Sequence, residues 1–496
     1  MRRHGLIRLA IGFFAVLSAC QTPLQTQLDD ALTNPEQTGI RWGLVVADMD
    51  GTEQISIRAE DRFTPGSNTK VITTMATYHH LDALEDTRLN PGTRVYLEST
   101  GPDTAPDLVL YGGGDAMLRD ASDCERTCLA ALADAVAATG IVEVSALVGD
   151  DTFFPFDRWG IGWSIEDLQY YYGTAVSALS VNDNLVWIDV TPGAAAGDST
   201  VISWQEGDAL YALENELVTG AEDSDRTLRV QRHPGGETVR VYGSLTAGSP
   251  QLSFGLGLDN PARFAASRFR DLLEARGISV ERIETRHRPI GLQDEAPEEG
   301  EDRASLVSQT LPSNGTLIAT LPASPLRESL MRISKDSENM HAEIALRRLG
   351  LIDGTGSRDF GRAALKDFLA EAGVSDIAMS LEGGSGMSVY NRISPRGVVR
   401  LLAFAARQPW FEDWLADQPI GGVDGSLERR FKGTALEGKI FAKTGTLNGA
   451  NALAGVLEAR SGRRLLFSII ANDRPPGTRS ATPEMDAALV LIAEAY

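Results

Sequence analysis

The texture of this chain changes twice, and those changes constrain its fold more than any single residue does. Trp42 to Asp48 is a continuous apolar run of the kind a buried strand needs, Asp50-Gly51 is a hairpin signal, and Gln54 to Ile57 alternates as a second strand. The loop Phe63-Thr64-Pro65-Gly66-Ser67-Asn68-Thr69-Lys70 then runs into the apolar helix Val71 to Ala76, with Ser67 at the helix start. From about 86 to 309, short strand-like runs at 93–97, 108–111, 185–190 and 238–242 alternate with turn residues, and one helical stretch spans Ala262 to Arg276. From about 316 helical patterns resume at Leu326 to Ile333 and Met340 to Leu349. Three strand candidates follow, at 439–445, 452–458 and 464–470, then a terminal helix at 487–495. At 496 residues and 43% apolar content the chain can bury several cores, and its length suits about three domains.

The first twenty residues are a separate object. Arg2, Arg3 and Arg8 precede an apolar run, Leu9 to Leu17, which has the length of a signal-peptide core and is too short to span a bilayer. It ends in Leu17-Ser18-Ala19-Cys20, which resembles the lipobox of bacterial lipoproteins, so 1–19 is expected to be a signal peptide and Cys20 a lipid anchor. Cleavage after Ala19 with Cys20 incidental is the other reading. Residues 20–38 are polar, carry Asn34-Pro35 and read as an anchor linker. Membrane contact is expected only through that anchor, and Gln21 after the cysteine suits outer-membrane sorting in a Gram-negative cell. The net charge is −22, which repels nucleic acid and anionic headgroups and excludes nucleic-acid binding. The other cysteines, Cys124 and Cys128, share a face if their segment is helical and can form a local disulfide in an oxidising compartment. No His or second Cys pair lies near them, which excludes zinc, and neither a metal nor a cofactor is expected. The acidic run at 294–303 reads as a solvated loop.

Three short motifs carry chemistry. Ser67-x-x-Lys70 puts a hydroxyl and an amine on one helical face. A serine needs a neighbouring base to act as a nucleophile, and a lysine can be that base once burial or positive charge lowers its pKa. Ser337-Glu338-Asn339 follows Lys335 and leads into a helix. A second Ser-x-Asn, Ser180-Val181-Asn182, is followed by Asp-Asn and a strand, and reads as a turn instead. Lys443-Thr444-Gly445-Thr446 lies on or beside a strand. Its lysine and two threonine hydroxyls make a compact corner for a carboxylate, and Gly445 is expected to let a substrate backbone lie close to the strand. Taken singly, each motif is also satisfied by helix capping or a strand end.

In this order the set resembles the active-site signature of penicillin-binding proteins and serine β-lactamases. Ser67 and Ser337 stand 270 positions apart and Ser337 and Lys443 stand 106 apart. That spacing resembles the class C low-molecular-mass penicillin-binding proteins, the D-Ala-D-Ala carboxypeptidases and DD-endopeptidases of the cell wall. Gly112-Gly113-Gly114-Asp115, Ser177 to Asn184, Gly384-Ser385-Gly386-Met387-Ser388 with Asn391 and Ser394, and Gly422 to Leu427 look like further landmarks of that family. The resemblance implies an α/β (α+β) fold: a β-lactamase/transpeptidase-like catalytic domain, an antiparallel sheet flanked by helices, split by a large β-rich insert of one or two domains. The expected division is 39–85 and 310–496 for the catalytic domain and 86–309 for the insert. It further implies that Ser67 forms an acyl-enzyme with stem peptides of peptidoglycan and with β-lactams, and that Lys70 takes its proton. Ser337 would relay a proton to the leaving amine, Asn339 would bond the substrate amide or Lys70, and the backbone N–H groups of Ser67 and Thr446 would form the oxyanion hole. Lys443, Thr444 and Thr446 would hold the terminal carboxylate. With the lipobox reading of residues 1–20, the protein is expected to be exported and held on the periplasmic side of a bacterial membrane as a lipoprotein, and otherwise to be soluble in the periplasm.

The sequence departs from that pattern at Gly383, Val389, Ala116 and Glu338, where Asp, Arg, Pro and Asp are more usual, which puts the shape of the substrate cleft in question at Gly383 and Val389. The alternatives are a β-lactamase or esterase of the same fold, and a catalytically inactive wall-binding lipoprotein. A Ser-His-Asp hydrolase is disfavoured, since the chain lacks a G-x-S-x-G elbow and its histidines stand in no suggestive context.

Overall fold

The computed structural model describes residues 23–496 apart from 34–37, 100, 102–103, 122, 206–209, 297–314 and 476. The expected signal peptide, Cys20, Gln21 and most of the acidic run at 294–303 lie outside the described residues.

Strands from the two ends of the chain make one antiparallel sheet. Arg41–Asp48 pairs with Glu53–Ile57 on one side and with Arg464–Asn472 on the other. Arg464–Asn472 continues to Ala450–Glu458, and that strand to Ile440–Leu447 at the sheet edge. Side chains alternate between the faces with period two. Val45, Ala47, Ala454 and Ile470 pack with Val71, Ile72 and Met75 of the helix Lys70–His79, whereas Leu44, Val46, Leu453 and Phe467 pack under Met485, Leu489 and Ile492 of the helix Thr482–Ala495. Both faces are buried, which is why the 42–48 run reads as continuously apolar.

The intervening chain builds its own core. One sheet orders Ser279–Arg288, Glu143–Pro155, Asp107–Gly112, Thr93–Glu98 and Thr316–Leu321, its first two pairings parallel and its last two antiparallel. Two three-stranded sheets lie beside it, and Val95, Leu147, Ile188, Val239 and Phe269 share one apolar cluster. The strand Thr316–Leu321 covers the edge of Thr93–Glu98 that would otherwise be unpaired, so this sheet takes in residues past 309.

Two local expectations are corrected. The stretch expected to be linker contains the helix Pro23–Ala31, and Leu28 is buried against the C-terminal helix. Leu24, Leu28 and Leu32 recur every fourth residue, a single apolar stripe that a polar composition hides. Cys124 and Cys128 do form a disulfide, but Cys128 is the extended residue preceding the helix Leu129–Ala137, so the pair does not share a helix face. The bridge closes a very short loop and adds little stability by chain entropy.

The helix Asn339–Leu349, buried along its whole length, is the seam between the catalytic sheet and the insert. His341 Nε2 lies 3.0 Å from Asp183 Oδ1, and Arg119 and Arg332 reach the other oxygen of the same carboxylate at 2.9 and 3.1 Å. Burial pushes the Asp183 carboxyl up, but His341 and the two guanidinium groups outweigh it and hold it below the usual carboxylate range. Arg348 donates to the carbonyls of Gly113 and Gly114 at 3.2 and 2.8 Å, and Arg347 donates to Asp157 O at 2.5 Å. The triple glycine is needed for contact: a Cβ at Gly112 would stand 2.4 Å from Ala178 O, and one at Gly113 2.3 Å from Gly92 O.

Candidate active site

Ser67 sits in the short 3-10 turn Gly66–Thr69, which runs directly into the helix Lys70–His79. The turn is pressed against the sheet's edge strand. Gly66 has φ +53°, and a Cβ there would meet the Thr446 backbone at 2.8 Å. A Cβ at Gly445 would fall 2.2 Å from Pro65 O, so Gly445 makes room for the nucleophile turn itself, not for a substrate backbone as expected. Asn68 Nδ2 closes the junction by donating to Lys443 O at 2.8 Å.

Two lysines converge on this junction from opposite sides. Lys70 Nζ donates to Ser67 Oγ at 2.9 Å, Asn339 Oδ1 at 2.5 Å and Ser385 O at 2.6 Å. Lys443 Nζ donates to Ser337 Oγ at 2.8 Å and to Thr444 O at 3.1 Å. Burial, and then the nearby Lys443 charge, hold the Lys70 ammonium well below the usual lysine range against the opposing pull of Glu338 and Glu343. Burial alone lowers Lys443 to about 7. An amine that gives up its proton this readily, in contact with a hydroxyl, is what proton abstraction from serine needs. Ser337 is held in the left-handed region at φ +65°, which aims its hydroxyl at Lys443.

The edge strand supplies the rest. Ala442 N–H donates to Pro419 O and Ile440 O accepts from Gly421 N, so the even-numbered residues turn their backbone groups away from Ala450–Glu458. The pairing keeps one register from Ile440 to Leu447, which gives Thr446 N–H the same outward direction. It points into an open cleft of about 430 Å³ lined by Ser67, Ser337, Asn339, Tyr171, Met387 and Thr446, among others. Thr444 Oγ1 donates to Ser426 Oγ at 2.8 Å, tying the motif to the Gly422–Leu427 landmark, and Lys335 Nζ binds the Asp424 carboxylate of that landmark at 2.7 Å. Ser67, Ser337, Asn339 and Thr446 therefore line one cleft, with Lys70 and Lys443 bonded to its serine hydroxyls from behind. Ser180 does not: its hydroxyl donates to Ser177 O at 2.9 Å and accepts from Asn184 Nδ2 at 3.0 Å, inside its own turn.

The family model described as the D-Ala-D-Ala carboxypeptidase 3 (S13) family matches residues 24–496. The chain belongs to that family. Among its relatives, the D-alanyl-D-alanine carboxypeptidase of Actinomadura sp. is 33% identical over 467 residues, covering 91% of this chain and 81% of that one. Carboxypeptidase DacB of Mycolicibacterium smegmatis is 26% identical over 479 residues, covering 94% and 83%. The solved structure of penicillin binding protein 4 (dacB) from Haemophilus influenzae shares the fold, with a TM-score of 0.76 at 20% identity over 94% of this chain and 98% of that one. That protein has also been solved complexed with a β-lactam.

Residues of this S13 family chain outside the three motifs brace the cleft. Glu343, one turn beyond Asn339, accepts from Gly384 N and Ser385 N at 3.0 Å each and from Ser385 Oγ at 2.7 Å. It thereby places the Ser385 carbonyl that Lys70 uses. It also explains Gly383, since a Cβ there would stand 2.8 Å from Glu343 Oε1. The sequence signal for it is a carboxylate four residues after Asn339 and four before Arg347, on the same helix face as the motif. The insert contributes Tyr172, whose carbonyl accepts from Asn339 Nδ2 at 2.8 Å and fixes which way that amide faces Lys70. Val389, the other departure, is half-exposed on a rim where its N–H donates to Gly162 O of the insert at 3.0 Å.

Proposed function

We propose that this chain is a serine-type D-Ala-D-Ala carboxypeptidase that hydrolyses peptidoglycan stem peptides through an acyl-enzyme on Ser67, and that β-lactams acylate the same oxygen. The observation that carries this reading is the 2.9 Å contact between Ser67 Oγ and the Nζ of a fully buried lysine. Ser67 Oγ attacks the carbonyl carbon of the penultimate D-Ala as its proton passes to Lys70. The developing oxyanion takes hydrogen bonds from Ser67 N–H and Thr446 N–H. The C–N bond breaks, and the proton taken up by Lys70 passes to the leaving amine by way of Ser337, whose hydroxyl accepts from Lys443 at 2.8 Å. Lys443, Thr444 and Thr446 hold the terminal carboxylate. Water then attacks the ester carbonyl while Lys70, neutral again, takes its proton and passes it to Ser67 Oγ as the C–O bond breaks. Gly445 is part of the binding corner through its packing on the turn.

The test is release of D-Ala from a pentapeptide. Stoichiometric labelling by penicillin with slow loss of the label is expected beside it. Rapid turnover of the drug without D-Ala release would overturn the reading in favour of a β-lactamase, and cleavage of crosslinked dimers would add endopeptidase activity.

The two lysines also set a pH dependence. Lys70 acts in its neutral form, so kcat/KM rises with pH through its depressed pKa. Lys443 acts in its charged form, so kcat/KM falls above about pH 7. A bell is expected, and Lys443→Arg, which stays charged, should move its alkaline limb upward. An alkaline limb left in place by that substitution would refute the assignment.

We further propose that the protein is exported and held at the periplasmic side of a bacterial membrane, the outer membrane favoured, by a lipid on Cys20. The lipobox-like sequence supports this, and no helix among the described residues is long and apolar enough to cross a membrane.

A further inference from the structure

One surface of the insert combines an exposed indole with fixed polar groups and runs into the cleft. The strand Leu185–Thr191 lies between Leu252–Gly257 and Val201–Trp204. Val186, Ile188 and Val190 are buried on one face, and Trp187 and Asp189 alternate with them on the other, Trp187 being 39% exposed. Gly255 stands opposite Trp187 and Ser253 opposite Asp189. Asp189 Oδ1 accepts from Ser253 Oγ at 2.6 Å and from Gln205 Nε2 at 2.7 Å. Those bonds, Ser253 first, hold Asp189 below the usual carboxylate range, so it is an acceptor at neutral pH.

Continuity with the cleft is the second observation. Tyr171 lines the cleft beside Ser67 and Asn339 and is itself 50% exposed. Tyr171 and Trp187 both border Gly255, where an added Cβ would stand 3.0 Å from Tyr171 Cβ and from Trp187 Cη2. The next residue, Tyr172, is bonded to Asn339, so the strip is tied to the catalytic helix. An exposed π face with donors and acceptors at its edge suits a sugar ring, which offers an apolar C–H face and a rim of hydroxyl and amide groups.

We propose that the strip from Tyr171 through Trp187 to Asp189 and Gln205 binds the glycan strand, a polymer of N-acetylated amino sugars, that carries the stem peptide. This rests on the DD-peptidase reading, under which a peptide seated at Ser67 brings its own glycan to the mouth where Tyr171 stands. Full-length protein is mixed with glycan strands stripped of their peptides and coupled to beads. The wild type should co-sediment, Trp187→Ala should bind roughly tenfold more weakly, and Trp187→Phe should recover part of the loss. Asp189→Ala gives an independent variant that leaves the indole in place and should also weaken binding. Hydrolysis of free pentapeptide should be unchanged in Trp187→Ala, while hydrolysis of intact wall polymer falls. Failure of the wild type to bind stripped strands, or equal binding by wild type and both alanine variants, would overturn the proposal. Failure of pentapeptide hydrolysis would instead overturn the peptidase reading, and strand binding would still be scored by itself.

Discussion

Replacing Lys70 with methionine is expected to slow acylation of Ser67 by about three orders of magnitude or more, without unfolding the protein. Methionine fills a similar volume and cannot accept a proton. The substitution strands Asn339 Oδ1 and Ser385 O without their donor, each at a cost of about 1–3 kcal/mol. It also removes an amine whose charged form burial penalises, so the two effects oppose each other. The thermal midpoint should stay near that of the wild type while stopped-flow acylation by a chromogenic β-lactam is nearly lost. A variant that acylates within tenfold of the wild-type rate would show that another group takes the Ser67 proton.

The second large effect is expected at Glu343, which is buried and does not line the cleft. Glu343→Ala removes the acceptor for two backbone N–H groups and the Ser385 hydroxyl, and leaves Arg347 buried without its carboxylate. Breaking a buried ion pair from one side costs about 3–5 kcal/mol. Arg347 keeps its bonds to Glu343 O and Asp157 O, which places the loss toward the lower end. Urea unfolding should register that loss. Acylation should fall as well, because the Ser385 carbonyl would no longer be held against Lys70. Glu343→Gln keeps an acceptor oxygen and should recover much of the acylation rate. If Glu343→Ala unfolds at the wild-type urea concentration, the carboxylate is not what supports the loop.

What was legible in the sequence was what depends on local pattern or on a fixed set of residue types. The nucleophile turn, the two strands before it and the three strands near the end stand where their apolar runs and Gly-Pro punctuation put them. Ser67, Lys70, Ser337, Asn339, Lys443 and Thr446 converge although hundreds of residues separate some of them, because the sheet is built from both ends of the chain. What escaped was set by partners far away in sequence. The helix Pro23–Ala31 is held by the C-terminal helix, and the strand Thr316–Leu321 by an edge more than two hundred residues earlier. Gly445 illustrates the limit: a glycine beside Lys443 and Thr444 implies a close approach, but the approaching chain is the protein's own Pro65. His341, which has no suggestive neighbours in sequence, is a buried structural group whose partner Asp183 lies in the insert.

The central claim, that Ser67 is the acylated nucleophile, is tested most directly by trapping the intact protein with labelled penicillin and locating the adduct by peptide mass spectrometry. One label per chain is expected, on Ser67, and absent from Ser67→Ala although that variant still folds. A label on any other residue, or undiminished labelling of Ser67→Ala, would contradict it.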